Sequence, residues 1–285
     1  MIDDALMQRL EPIDGLAVRP REPMQRHTVF RVGGPAELWL LAETEAAAVA
    51  AIKACKEAGQ SVKYWTSTER IVRDGGLPGV WLTLGGFAGG AAEVEPGVVR
   101  AGARYPAAAL GAWALANKRA GFDSVIGRAG TVGEAWAGGA LRDRVRQVRA
   151  LRRTRIVTCA PEKLPKSAQP VWFELEAPDG EPRKLAREAA SRLKRRREGG
   201  EGLPGRVFAD LGRTRASEAV SDAGLCGVRL RQARIGLIEP NNIINLGGAT
   251  ARDLTLLMQL VRDRVKLVSG LEIKPLSPPL GRLTE

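Results

Sequence analysis

Apolar positions recur along this chain with two periods, one near four residues and one of two, and their alternation predicts a mixed α and β fold. Near the N-terminus Leu6 and Leu10 stand four apart with Met7 beside them, which predicts a short helix within residues 1–15. Pro20 and Pro23, with charges between them, predict a linker. Residues 27–41 then read as a turn and a strand. Thr44-Glu45 caps a helix over 46–58 that Gly59 ends, and a strand at 62–65 follows at once. That order predicts a β–α–β unit whose crossover is long enough for parallel pairing. After a turn at 66–69, the run through Gly75, Gly76, Pro78 and Gly79 leads to a strand at 80–84.

Beyond residue 85 the texture changes. Residues 94–103 predict a hairpin turning at Pro96-Gly97, and 106–120 an Ala-rich helix stopped by Gly121. Strands at 145–151 and 155–158 form a second hairpin, with 171–175 pairing later. The helix predicted over 182–198 carries Arg187, Arg192, Lys194, Arg195, Arg196 and Arg197. Spread over three turns, those charges cover more than one face, which predicts a solvated helix rather than a groove binder. A loop at 199–204 precedes a compact α/β end: a helix at 215–223, strands near 228–230 and 243–245, a helix at 251–269 and a last strand at 271–274.

Composition narrows the functional classes. The 285 residues are 44% hydrophobic, which excludes wholesale disorder. No apolar run approaches the roughly 18 residues of a membrane span. The acidic, amphipathic N-terminus is the opposite of a signal peptide's basic start, so a cytoplasmic location is expected. Cys55, Cys159 and Cys226 are far apart and odd in number, which predicts reduced, packing cysteines rather than disulfides or a zinc site. His27 is the sole histidine, so neither a histidine triad nor a multi-histidine metal centre is expected. The net charge of +12 is compatible with nucleic acid, an anionic membrane face or a phosphorylated substrate, and its default reading is a solvated surface. With no fingerprint module and 5% aromatic residues, nucleic-acid binding is not expected.

One stretch offers chemistry. Residues 121–140 are rich in Gly and Ala and contain Gly127-Arg128-Ala129-Gly130-Thr131-Val132-Gly133. Glycine permits positive φ and close approach of backbone N–H groups, so the run is either a diphosphate cradle or simply a turn. Glu134 follows directly, and an anion there opposes phosphate binding.

Four motifs occur in order: His27-Thr28-x-Phe30-Arg31-Val32-Gly33-Gly34-x-Ala36; Val72-Arg73-Asp74-Gly75-Gly76; Gly127-x-x-Gly130-Thr131-Val132-Gly133-x-Ala135; and Asn242-Ile243-Ile244-Asn245-x-Gly247-x-Ala249-Thr250-Ala251-x-Asp253. Together they resemble the UDP-N-acetylenolpyruvoylglucosamine reductase (UDP-N-acetylmuramate dehydrogenase) family, and the resemblance covers about residues 28–281. It implies an α+β fold: a vanillyl-alcohol-oxidase-type FAD-binding module in two subdomains plus a C-terminal α/β substrate-type domain. The expected divisions are 1–24 for the N-terminal helix and linker, 25–84 and 85–180 for the FAD-type subdomains, and 181–285 for the substrate-type domain.

The chain departs from the family at its chemistry, as a degenerate member. The family's Gly-Gly-Gly-Ser-Asn flavin loop falls on Trp65, Thr66, Ser67, Thr68 and Glu69. Its Gly-Ile-Pro-Gly-Thr-Val-Gly-Gly-Ala loop becomes the 127–135 run, with Glu134 for the last glycine. The proton-donor serine falls on Arg206, which cannot give up a proton at accessible pH. An Asn associated with the uridine diphosphate is Asp210, and the closing strand's catalytic Glu is Lys274. The resemblance therefore implies no catalytic residue, with Arg206 and Lys274 standing at those positions, no metal, and no FAD, only a remnant loop at Gly127, Gly130, Thr131 and Gly133. The expected role is a non-catalytic homologue of the peptidoglycan-precursor reductase, with a protein partner in cell-wall synthesis or division. The alternative is an active or weakly active FAD- and NADPH-dependent dehydrogenase. Arg128, Arg206, Lys274, Glu69, Glu134 and Asp210 bring new charges of both signs, and at least one salt bridge among them is expected to close the former sites from within.

Overall fold

The computed structural model describes residues 2, 4–85, 90–199 and 205–282, with side chains left out for 195–199. The chain is α+β and splits into two compact units: Met1–Arg21, Glu37–Ser67 and Gly79–Lys194 form one, and Glu22–Ala36, Thr68–Pro78 and Arg195–Glu285 the other.

The first sheet comprises β1 (Leu16–Pro23), β2 (Pro35–Ala42), β3 (Val62–Tyr64) and β4 (Leu77–Leu84), in the order β1-β2-β4-β3. β3 and β4 are parallel, with Val62 opposite Val80 and Tyr64 opposite Leu82. The crossover therefore returns one strand beyond β2, and β4 later fills the gap. The predicted linker at Pro20–Pro23 is the end of β1. β1 is an edge strand, where proline is tolerated because one side of the strand has no ladder to interrupt. Helix α1 (Asp4–Leu10) and helix α2 (Glu45–Glu57) pack on this sheet through Leu6, Leu10, Ala48, Ala51 and Cys55, against Leu38, Leu40, Val80 and Leu82. Thr44 starts α2 as its N-cap, its Oγ1 accepting the Ala47 N–H at 3.0 Å.

The second sheet of the same unit has five antiparallel strands: β5 (Ala91–Glu95), β6 (Val98–Gly102), β7 (Val145–Arg152), β8 (Arg155–Cys159) and β9 (Gln169–Glu176). Their order is β5-β6-β9-β7-β8, so both predicted hairpins and the late return of β9 are present. Helix α3 (Ala107–Ala116) and short α4 (Val132–Ala137) cover one face, their Leu110, Val132 and Ala135 meeting Val99, Ala101, Val148 and Phe173. α3 ends earlier than predicted because Lys118 takes positive φ, 56°, which an α-helix does not permit. In α5 (Pro182–Gly199) Leu185 and Ala189 are buried, while Arg183, Lys184 and Arg187 are exposed, the solvated helix expected. The Arg195–Arg197 side chains, and the predicted loop from residue 200 to 204, lie outside what is described.

The other unit is built around α7 (Ala251–Ser269). Leu254, Leu257, Met258, Val261 and Val265 recur at helical spacing and are buried against α6 (Ala216–Asp222) and a three-stranded antiparallel sheet. That sheet is β10 (Arg229–Leu230), β11 (Ala233–Ile235) and β12 (Ile243–Asn245). α7 starts with a reciprocal Thr250–Asp253 capping box and ends at Gly270, φ 71°. Asp74 adds a second cap, its two carboxylate oxygens accepting the Ala251 and Arg252 N–H groups at 2.9 and 3.0 Å. The predicted strand at 271–274 is absent. A single bridge from Phe208 to Pro275 replaces it, and proline cannot extend a ladder. Two motif glycines are explained by packing: a Cβ on Gly34 would stand 1.9 Å from the Asp74 carbonyl oxygen, and one on Gly76 2.0 Å from that of Pro35. Two backbones cross here at a distance only glycine permits.

Candidate functional site

The first candidate loop begins on a buried aromatic stack. Trp65 meets Trp39 and Trp81 edge-on, with ring centroids 5.8 and 6.1 Å apart, and its backbone N–H donates to Leu82 at 2.9 Å. Trp65 is 3% exposed, so its ring is a core component of the first unit. Its indole N–H has no acceptor among the described residues. Trp65, the position that the resemblance gives to the first loop glycine, is a large ring built into the fold.

The second candidate loop is a glycine turn that is already satisfied. Gly127 and Gly130 have φ of 63° and 86°. The Val132 N–H donates to Tyr105 and that of Gly133 to Ala103, both at 2.9 Å. The Thr131 N–H donates to the Glu134 carboxylate at 2.7 Å, and the Glu134 N–H returns to Thr131 Oγ1 at 3.2 Å. This is a capping box at the start of α4. A Cβ at Gly130 would lie 2.7 Å from Glu134 Oε2, so the glycine makes room for the chain's own carboxylate. Burial holds the Arg104 guanidinium below its ordinary range, and the negative charge of Glu134 partly restores it. A flavin diphosphate brought to Thr131–Gly133 would meet N–H groups already engaged and a fixed anion. At Thr131–Gly133 no N–H is left for a diphosphate, which argues against one at this turn.

The altered chemical positions of the other unit share one neighbourhood. The segment from Arg206 to Ala209 lies between two others: Arg206 bridges Asn242, and the Ala209 N–H donates to the Lys274 carbonyl at 2.9 Å. Arg206 and Asp210 pair at 3.1 Å. Asp210 also accepts the Ala216 N–H at 2.8 Å, tying down the start of α6. Lys274 is exposed. Of the six new charges, then, Arg206 and Asp210 do pair. The pair is local in sequence and its side chains are 38% and 42% exposed, so it contributes at most about 1 kcal/mol and seals nothing.

Sequence reasoning missed Glu239. It is buried, accepts the Asn241 N–H at 3.2 Å, and has its carboxyl pushed up by burial against the opposing pull of that bond, Arg206 and Arg215. Asn241 beside it is fully buried, accepting from the Phe208 N–H and donating to the Phe208 carbonyl at 2.9 Å each. Glu239 is the sole carboxylate between Asp222 and Asp253, a signal the sequence did carry.

Elsewhere, Cys55 is buried and its thiol is pushed up to about 11, as a packing cysteine's should be, but Cys226 is exposed. His27 Nε2 stands 2.9 Å from Glu22 Oε1. Among the described residues no group of three His, Cys, Asp or Glu is placed to hold a metal, and no helix is long and apolar enough to cross a membrane.

Comparison with known proteins gives a consistent picture. The C-terminal domain family of UDP-N-acetylenolpyruvoylglucosamine reductase matches residues 186–275. A UDP-N-acetylenolpyruvoylglucosamine reductase of Rubrobacter xylanophilus is 31% identical over 293 residues, covering 95% of this chain and 97% of the relative. One of Myxococcus xanthus is 29% identical, covering 98% and 97%. The crystal structure of the Thermus caldophilus reductase shares the fold, with TM-score 0.76 and 21% identity over 91% of this chain and 97% of that one.

Proposed function

Because the chain belongs to the UDP-N-acetylenolpyruvoylglucosamine reductase family, we propose that it keeps the reductase fold without the reductase reaction, as a binding or scaffolding protein tied to cell-wall synthesis or division. The observation that carries this reading is the Glu134 carboxylate on the Thr131 N–H, inside the loop that the resemblance assigns to flavin diphosphate. Trp65 in the core and Arg206 at the proton-donor position support it independently. Residues that act as a catalytic unit lose most of its rate enhancement when one member goes, so several altered positions leave little of the reaction.

A second reading has its own support. Identity of 29–31% over nearly the full length joins the chain to proteins named as reductases, which favours an FAD- and NADPH-dependent dehydrogenase using a rearranged site. Similarity favours this second reading, and loop geometry the first.

Flavin binding separates them. The non-catalytic reading expects protein that purifies colourless and unfolds at the same temperature with or without FAD. A ligand held at 100 times its Kd stabilises by about 2.7 kcal/mol, a shift of several degrees for a domain of this size. Yellow protein, or a shift of that size, overturns the flavin-free reading and favours the dehydrogenase, which NADPH oxidation driven by UDP-N-acetylglucosamine enolpyruvate then tests.

A further inference from the structure

The loop between β11 and β12 combines two properties rarely found together. Its tip is strongly apolar and exposed: Leu237 is 63% and Ile238 71% accessible. Its base is firmly held. The Gly236 N–H donates to the Asn242 carbonyl at 2.9 Å, the Asn242 N–H to the Glu239 carbonyl at 3.0 Å, and the Asn241 N–H to the Glu239 carboxylate. A Cβ on Gly236 would stand 2.2 Å from the Glu239 carbonyl oxygen, so the turn closes tightly on itself. Such a tip is preformed and projects its side chains without further ordering cost.

The face of the sheet leading to this tip is basic and apolar. Arg229 lies opposite Arg234 and Arg234 opposite Ile244, which places the three on one face, and Ile244 is itself exposed. The buried Nε of Arg234 has no acceptor among the described residues, and Arg229 is tied only to the Arg231 carbonyl and Gln232. Acids of the same unit are engaged: Asp210 with Arg206, Glu218 with Arg215, Asp253 with Arg231, and Glu239 with the Asn241 N–H inside the loop. The whole chain carries +12.

We propose that Leu237 and Ile238, with Arg229 and Arg234 behind them, form a peripheral docking surface for an anionic lipid bilayer. Two aliphatic side chains on a projecting tip suit a fluid apolar phase, and a net basic face suits anionic headgroups. Peripheral binding requires both terms because neither suffices alone. The inference does not depend on whether the chain binds flavin.

The test is flotation of the full chain with vesicles. The wild type should float with phosphatidylglycerol vesicles, not with phosphatidylcholine vesicles, and should detach as salt rises. Leu237→Ser combined with Ile238→Ser should lower the partition constant roughly a hundredfold or more, the loss expected for two buried aliphatic side chains. Arg229→Gln combined with Arg234→Gln should also weaken it. Unchanged thermal unfolding of these variants establishes that the fold is intact. An Ile238→Trp variant should shift its emission to the blue on phosphatidylglycerol vesicles. Wild-type protein that fails to float overturns the proposal and leaves the tip to an apolar pocket on another protein. Undiminished flotation of the serine variant, or unshifted emission from the bound Ile238→Trp variant, overturns it equally.

Discussion

Placing at residue 65 the glycine that the family resemblance assigns there should unfold the protein rather than build a cofactor loop. Trp65 is 3% exposed and wedged edge-on between Trp39 and Trp81. Truncating a buried tryptophan costs about 3–5 kcal/mol, and two edge-to-face partners put this site at the upper end of that range. Glycine adds roughly 0.5–1 kcal/mol of backbone entropy relative to alanine. Trp65→Gly should therefore cost about 5 kcal/mol, comparable with the whole stability of a marginal domain, roughly 5–15 kcal/mol. Trp65→Phe should cost only about 1 kcal/mol, since a ring remains and the indole N–H has no acceptor to lose. Urea titration followed by circular dichroism measures both, read as midpoint shifts at constant slope. A Trp65→Gly protein that stays folded within about 2 kcal/mol of wild type would refute the packing argument. A folded variant that also turned yellow would refute the view that the ring replaces a cofactor cradle.

Two further outcomes follow from single residues. Glu134→Ala removes one half of the capping box and should cost about 1 kcal/mol, whereas Glu134→Gln keeps an acceptor for the Thr131 N–H and should cost less; an alanine variant with an unshifted melting temperature would show that the cap contributes nothing. Burial raises the Glu239 carboxyl above its ordinary 4.5, so its contribution to stability is present below that pH and is lost as pH rises through the folded value. Glu239→Gln should hence be more stable than wild type at neutral pH and equal to it below pH 4.5, and urea midpoints across that range check it. Parallel curves for the two proteins would mean that Glu239 is not titrating as its burial requires.

The long elements were legible because their signals are local. α7 is predicted to the residue, since a Thr-x-x-Asp cap, a four-residue apolar rhythm and a terminal glycine mark both ends and its middle. The strands of the five-stranded sheet were legible for the same reason, down to the Pro96-Gly97 turn. What failed depended on distant partners. Nothing near Pro20 says that this segment lies at a sheet edge, and nothing near residues 271–274 says that the partner segment bridges through Phe208 to Pro275 alone, although Pro275 itself was a local warning. At the candidate site, the opposition of Glu134 to a phosphate was readable, and its engagement of the Thr131 N–H was carried by the same Thr-x-x-acid spacing as at α7 but went unread. The Arg206–Asp210 pair was anticipated and its role was not: Asp210 also caps α6, and the pair stays at the surface. Glu239 was marked in the sequence only as a lone carboxylate between Asp222 and Asp253; its burial, which gives it importance, a loop sequence does not announce.

The double cap on α7 has a consequence for synthesis of the protein. Asp74 is made 177 residues before the Ala251 N–H it binds. While the ribosome works through the intervening chain, the segments 22–36 and 68–78 have little of their own core to join, because Phe30, Val32 and Ile71 pack against residues beyond 206. Folding of this unit is consequently a late event, triggered by the final stretch of translation. A polypeptide stopped just short of Ala251 would carry Phe30, Val32 and Ile71 without the helix that completes their core, a ready target for chaperones and proteases.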